Sequence, residues 1–196
     1  MKKNLSPIVF GFLFVLPFLS HATSVRSINL KELVNSSEYV FKGTIIAKDT
    51  VEENGYFATY YTASVLDCIK CPSAPENNRI VWKQIAQGEY TLNGERIRQN
   101  FRFPTYNRGG TSLFFLSEPH PKTGLTAPVG LYQGVFEVKT SNDGQETIPQ
   151  LKSRTQQLSK GLKNSNQDKF LRFQLNAATE DQSYDHFRSM IEAAKD

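Results

Sequence analysis

Cysteine, tryptophan, methionine and histidine are all scarce in this chain, with 2 Cys, 1 Trp, 2 Met and 3 His among 196 residues. Two cysteines cannot build the disulfide ladder on which many small secreted domains rely, so apolar packing has to supply the core. Beyond His21, only His120 and His186 stand beside Cys68 and Cys71, which is thin material for a metal centre. The chain has no G-x-S-x-G elbow, no H-E-x-x-H, no P-loop and no internal repeat. Long apolar runs are missing too, except for one at the very start.

That run extends from Ile8 to Leu19, behind Lys2 and Lys3 and ahead of Ser20-His21-Ala22. A basic start, an apolar middle and small residues at the end are the three parts of a secretion signal. The middle is shorter than the roughly 20 residues of a membrane span. Residues 1–22 are therefore expected to be a signal peptide cut after Ala22, and the protein to be periplasmic or secreted. Lys2 and Lys3 leave with it, which halves the formal charge of +4 and weakens any argument for a nucleic-acid partner. No second stretch suits a membrane span.

The rest of the chain reads as mainly β. Asn29, with Glu32 three residues on, has the form of a capping box at the head of a short helix, Ile28 to Val34. Tyr39, Phe41, Gly43, Ile45 and Ala47 then alternate with polar residues, and Tyr56 to Leu66 is rich in aromatic and β-branched residues. Glu53-Asn54-Gly55 between them predicts a hairpin, and Gly43 marks a bulge or bend. Further strands are expected at Arg79 to Ile85, Ile97 to Phe103, Leu113 to Leu116 and Leu131 to Lys139. A short strand through Thr147 and Ile148 would pair back across Asn142-Asp143-Gly144. Gly88 to Glu95 and the proline-rich Glu118 to Gly130 read as loops. The expected organisation is a β-barrel domain at 23–152, a polar linker at 153–168 and a C-terminal helical segment at 169–196. In that segment Tyr184, Phe187, Ile191 and Ala194 share one helix face. The strand count fits a small antiparallel, Greek-key barrel with a helix at each end.

Leu30-Lys31-Glu32-Leu33-Val34 and Ser37 to Ile45 together resemble the opening of small exported bacterial proteins. Ser112 to Leu116 and Gly130 to Val138 resemble two of their later strands. That group is similar to the netrin and tissue-inhibitor-of-metalloproteinase modules, so the resemblance implies an oligonucleotide/oligosaccharide-binding-type barrel over about residues 28 to 138. It does not imply protease inhibition by zinc chelation. That activity needs an N-terminal cysteine, and cleavage after Ala22 would expose Thr23.

Four groups of residues invite a chemical reading. Cys68 and Cys71 are expected to form a local disulfide in an exported protein; a redox pair, a metal site and free thiols are the alternatives. Arg96, Arg98 and Arg102 share a face of the expected strand and Arg108 follows, a possible anion-binding row whose plainer reading is a solvated strand face. Tyr56, Tyr60, Tyr61, Tyr90, Tyr106 and Tyr132 would serve as a stacking platform, or simply as strand residues with one wet end. His120, and His186 beside Asp185, have no nucleophile placed against them. No cofactor or metal is expected. The function expected is an exported, non-enzymatic binding module contacting a protein or a surface glycan. The alternatives are an exported inhibitor or effector using Glu118 to Gly130 or the Gly109-Gly110 turn, and a small thiol-redox or hydrolytic enzyme.

Overall fold

The structure, a computed structural model, describes residues 26–100, 103–179 and 182–195. The expected signal peptide and Arg102 lie outside the described residues. The chain enters through helix α1 (Leu30–Asn35), where the capping box forms: the Asn29 side chain accepts from the Glu32 N–H, and Glu32 reaches back to the Asn29 N–H. Strands β1 (Tyr39–Glu53) and β2 (Tyr56–Lys70) follow as one long antiparallel hairpin. Asn54 and Gly55, both at positive φ, make its turn.

Strand β3 (Arg79–Ile85) pairs with β2, and β6 (Thr111–Leu116) pairs with the other side of β1. Between them in the chain, β4 (Gly88–Leu92) and β5 (Glu95–Gln99) form a small hairpin of their own across Asn93-Gly94. The loop expected at Gly88 to Glu95 is thus half strand. Tyr90 and Leu92 do alternate with Glu89 and Thr91, but two apolar positions are too short a run to mark a strand; the hairpin is held by its turn and by Gln99, which bonds both main-chain groups of Phe57.

The strand expected at Leu131 to Lys139 is also different. Gly130 and Leu131 both have left-handed backbone, so the chain makes a 3₁₀ turn at Leu131–Gly134. Only β7 (Val135–Glu137) joins the sheet. Tyr132 is therefore exposed while Phe136 is buried, although a continuous strand from Leu131 to Lys139 would put both on one face. Gly134 tolerates no side chain here, because a Cβ would stand 2.5 Å from the Val129 carbonyl oxygen. A short hairpin, β8 (Lys139–Thr140) with β9 (Glu146–Thr147), turns through Gly144 as expected.

The largest correction concerns the expected polar linker at 153–168. It holds most of helix α2 (Leu151–Ser159) and the start of α3 (Asn166–Asn176). Its composition is polar, but Leu151, Leu158 and Leu162 are fully or nearly fully buried, and Ser165 caps α3 through the Asp168 N–H. A narrow apolar edge suffices when the rest of a helix faces water. Helix α4 (Tyr184–Ala194) completes the chain, capped by Ser183, with Tyr184, Phe187, Ile191 and Ala194 buried as the spacing requires. None of the described helices is long and apolar enough to cross a membrane.

The five-stranded sheet runs β3-β2-β1-β6-β7, antiparallel throughout. Leu113 and Phe115 of β6 face a core shared with all four helices, while Phe114 and Leu116 face a second, aromatic core. The continuous apolar run at 113–116 is thus a strand covered on both faces. Gly43 permits the bend: β1 shifts register there, and a Cβ would meet the Ser64 carbonyl oxygen at 2.9 Å. Among the described residues the strand ladders form an open sheet and not a closed barrel. Isolated bridges Lys83 to Leu125 and Leu116 to Pro128 place the segment 125–129 between the β3 edge and β6. The fold is therefore mainly β with four helices and antiparallel sheets.

Candidate functional site

Ile80, Trp82 and Gln84 alternate along the inward face of β3, as period-two geometry demands. The first two pack among Phe41, Tyr61, Tyr106 and Phe114 in the aromatic core. Gln84 continues the same face with a polar group. Its amide oxygen accepts from the Trp82 indole Nε1 at 3.4 Å, and its amide nitrogen has no partner. The side chain is only 3 % exposed.

A second such group comes from a distant part of the chain. Ser117 donates its N–H to Ala127 O (3.0 Å), and Thr126 donates its N–H to Lys83 O (2.7 Å), so the proline-rich loop returns across β3. Its tip is a tight turn in which the Gly124 N–H donates to His120 O at 2.7 Å, with Gly124 at positive φ. The Thr126 side chain is brought inward, 5 % exposed, and its hydroxyl is also without a partner. Leaving one buried polar group unbonded costs about 1–3 kcal/mol, and few are kept in native structures. Gln84 and Thr126 line the same cavity of about 490 Å³, whose walls are Ile85, Phe103, Pro119 and Leu125, with His120 beside them.

The opposite face of β3 is tied down electrostatically. Lys83 bonds the Glu53 carboxylate, which also accepts from the hydroxyls of Tyr60 (2.6 Å) and Tyr56 (2.9 Å). The Lys83 hydrogen bond, followed by that of Tyr60, holds the Glu53 pKa down to about 2 against the opposing effect of burial. The tip of the β1–β2 hairpin is thereby locked to the strand that carries Gln84.

The residues singled out in the sequence are dispersed. Cys68 and Cys71 are joined as a disulfide, with Cα atoms 6.2 Å apart, at the end of β2 and not at a helix N-terminus. Arg96 and Arg98 stand on β5 opposite Thr91 and Glu89, exposed on the small hairpin. Arg108 is elsewhere, donating from Nε to Ile46 O at 3.0 Å beside β1. The tyrosines do not form one platform: Tyr56 and Tyr60 serve Glu53, Tyr61 and Tyr106 are core, and Tyr90 stacks on Phe57 at 4.3 Å. Tyr132 is exposed. His186 sits in the first turn of α4, its N–H donating to the Ser183 hydroxyl. Among the described residues no cluster of His, Cys, Asp and Glu is arranged to hold a metal ion.

Sequence reasoning missed Gln84 and Thr126. For Gln84 a signal existed, since Ile80, Trp82 and Gln84 fall on one strand face and that face is apolar. For Thr126 there was none, because only the returning loop turns its hydroxyl inward. No family model, no curated protein and no solved structure matches this chain.

Proposed function

We propose that the protein is an exported, non-enzymatic binding module that takes a neutral glycan in the cavity between β3 and the loop 117–127. The observation that carries the reading is that two residues lining one cavity, Gln84 and Thr126, each carry a buried, unbonded polar atom, the amide nitrogen and the hydroxyl. A sugar presents hydroxyls to such groups and apolar C–H faces to walls like Phe103, Ile85 and the prolines. Export is supported by the basic, apolar and small-residue order of residues 1–22. A barrel of the oligonucleotide/oligosaccharide-binding type is supported by the bridges through 125–129, which carry main-chain pairing from β3 towards β6.

The test is calorimetric titration with a panel of neutral oligosaccharides, comparing the protein with Thr126→Val and Gln84→Leu. Binding that is lost in both variants, with thermal melting unchanged, is the expected result. Binding of peptides and of no glycan, or glycan binding insensitive to both substitutions, overturns the reading. The alternative of an exported inhibitor is favoured by one observation: the loop tip from Glu118 to Pro121 is exposed while its base is pinned to β3 and β6. Inhibition through that tip would survive Thr126→Val, so the same variant separates the two.

A further inference from the structure

On the other flank of the molecule, α2 packs against β7 and leaves a second cavity of about 500 Å³ beside it. Arg154 lines it. Its guanidinium lies over the Phe136 ring, 3.8 Å from the centroid, and donates to the carbonyl oxygens of Val135 (2.9 Å) and Gln133. No carboxylate lies within ion-pair distance of it among the described residues, so the charge is braced but not neutralised. A guanidinium has five N–H donors, and two carbonyls do not use them all. Desolvation pulls its pKa down to about 10.

Three further features converge on the same cavity. The first turn of α2 lines it through Gln150 and Ser153, and that helix end has no side-chain cap and no acidic residue. The Leu151 N–H is taken by Ile148 O at 3.1 Å, and the positive end of the helix dipole favours a negative ligand. Tyr106, 7 % exposed, forms part of the wall, and its hydroxyl has no partner. Tyr132 contributes an exposed ring. One acidic residue, Glu137, also lines the cavity, and its side chain is solvent-exposed.

We infer that this cavity is a carboxylate site, with Arg154 and the α2 N-terminus holding the anion and Tyr106 and Tyr132 contacting the body that bears it. A single guanidinium with Glu137 nearby suits one negative charge and disfavours a doubly charged phosphate. A sugar acid and a peptide C-terminus both carry that group. The site stands whether or not the loop cavity takes a glycan, since the two share no lining residue.

The experiment is two-dimensional NMR of the purified protein, following the Arg154 Nε–H and the Ser153 N–H. The probes are galacturonic acid and an N-acetylated dipeptide, each as free acid and as neutral amide, and inorganic phosphate. Saturable shifts at both positions with an acid form, and none with its amide, are expected; which acid binds identifies the source. Arg154→Lys removes the planar fork and risks loosening α2, so Ser153→Asp is the cleaner variant. It places a carboxylate in the first turn, where a helix accepts one, and should weaken the acid by about tenfold or more. Equal shifts from acid and amide, no shift with either acid, or binding of phosphate alone would each overturn the assignment.

Discussion

The two faces of the central sheet bury different kinds of side chain and treat polar groups differently. The helix-backed face is largely aliphatic: Leu30, Leu33, Leu151, Leu158, Leu171 and Leu175 come from the helices, with Phe136 and Phe187 at 5.0 Å among them. Buried polar groups on that side are bonded. Ser37 donates to Leu33 O at 2.6 Å, and Lys42 meets Glu146 at 2.5 Å beneath the Tyr184 ring. The Asp67 carboxylate takes hydrogen bonds from Tyr184 (2.7 Å) and Arg188 (2.8 Å), locking α4 to β2. The other face is aromatic, with Trp82 stacked on Tyr61 at 5.4 Å and tilted on Phe114 at 5.3 Å. The orphan polar atoms found among the described residues, on Gln84, Tyr106 and Thr126, all lie on this side. On the helix-backed face the fully buried polar groups are bonded and spare donors remain on the half-buried Arg154 guanidinium; the aromatic face keeps wholly unbonded atoms beside its cavities.

The sharpest way to break this division is to truncate neighbours on β6. Phe115→Ala and Phe114→Ala should each cost about 3–5 kcal/mol in chemical unfolding. Of the two, Phe114→Ala alone should change the native fluorescence of Trp82, because Phe114 packs on that ring and Phe115 belongs to the other core. Equal fluorescence changes would mean that the two cores are not independent.

A smaller effect is expected from the disulfide, whose cross-link spans a short loop. Cys68→Ser with Cys71→Ser should lower stability by about 2 kcal/mol in the loop-entropy picture. A loss much above that in urea unfolding would show that the bridge also braces the aromatic face, on which Cys71 packs.

Smaller still is the contrast between two hydroxyls. Ser37→Ala on the helix-backed side removes a made hydrogen bond and should cost about 1 kcal/mol. Thr126→Val removes an unmade one and should leave stability unchanged or raise it by about 1 kcal/mol. A Thr126→Val variant as damaged as Ser37→Ala would mean that the two faces do not differ in this respect.

The slightest expected effect is acid sensitivity at the hairpin tip. The folded pKa of Glu53 is depressed from 4.5 to about 2, so its stabilising share is complete above about 4.5 and lost as pH falls towards 2. For Asp67, burial alone would raise the pKa, and the hydrogen bonds from Tyr184 and Arg188 outweigh it, so its net shift is also downward. Urea unfolding at successive pH values should therefore show stability falling in acid, with a shallower fall in Glu53→Gln. An unchanged slope in that variant would place the acid sensitivity on the helix-backed side.

Much of the fold was legible in local residues. The capping box at Asn29, the turn at Asn54-Gly55, the bounds of β3 and the face of α4 each depend on neighbours within a few positions. Helix α2 was not legible, because its buried leucines are too few to raise a periodic signal from a polar stretch. Nor was the break at Gly130-Leu131, where apolar alternation continues through a chain reversal. The candidate site was legible only in part: the alternation of β3 already puts Gln84 inward, but nothing near Thr126 says what it faces.

By itself, then, the sequence determined what short-range physics controls: a mainly β chain, its principal turns, its caps, and a pair of cysteines close enough to join. Only the tertiary structure decided which polar groups end without a partner. Whether the Gln84 amide, the Thr126 hydroxyl or the Arg154 guanidinium is satisfied depends on atoms delivered by segments tens of residues away. Hydrogen bonds reach about 3 Å and have no sequence range. An orphan group is a property of the assembled neighbourhood, not of the residue that carries it.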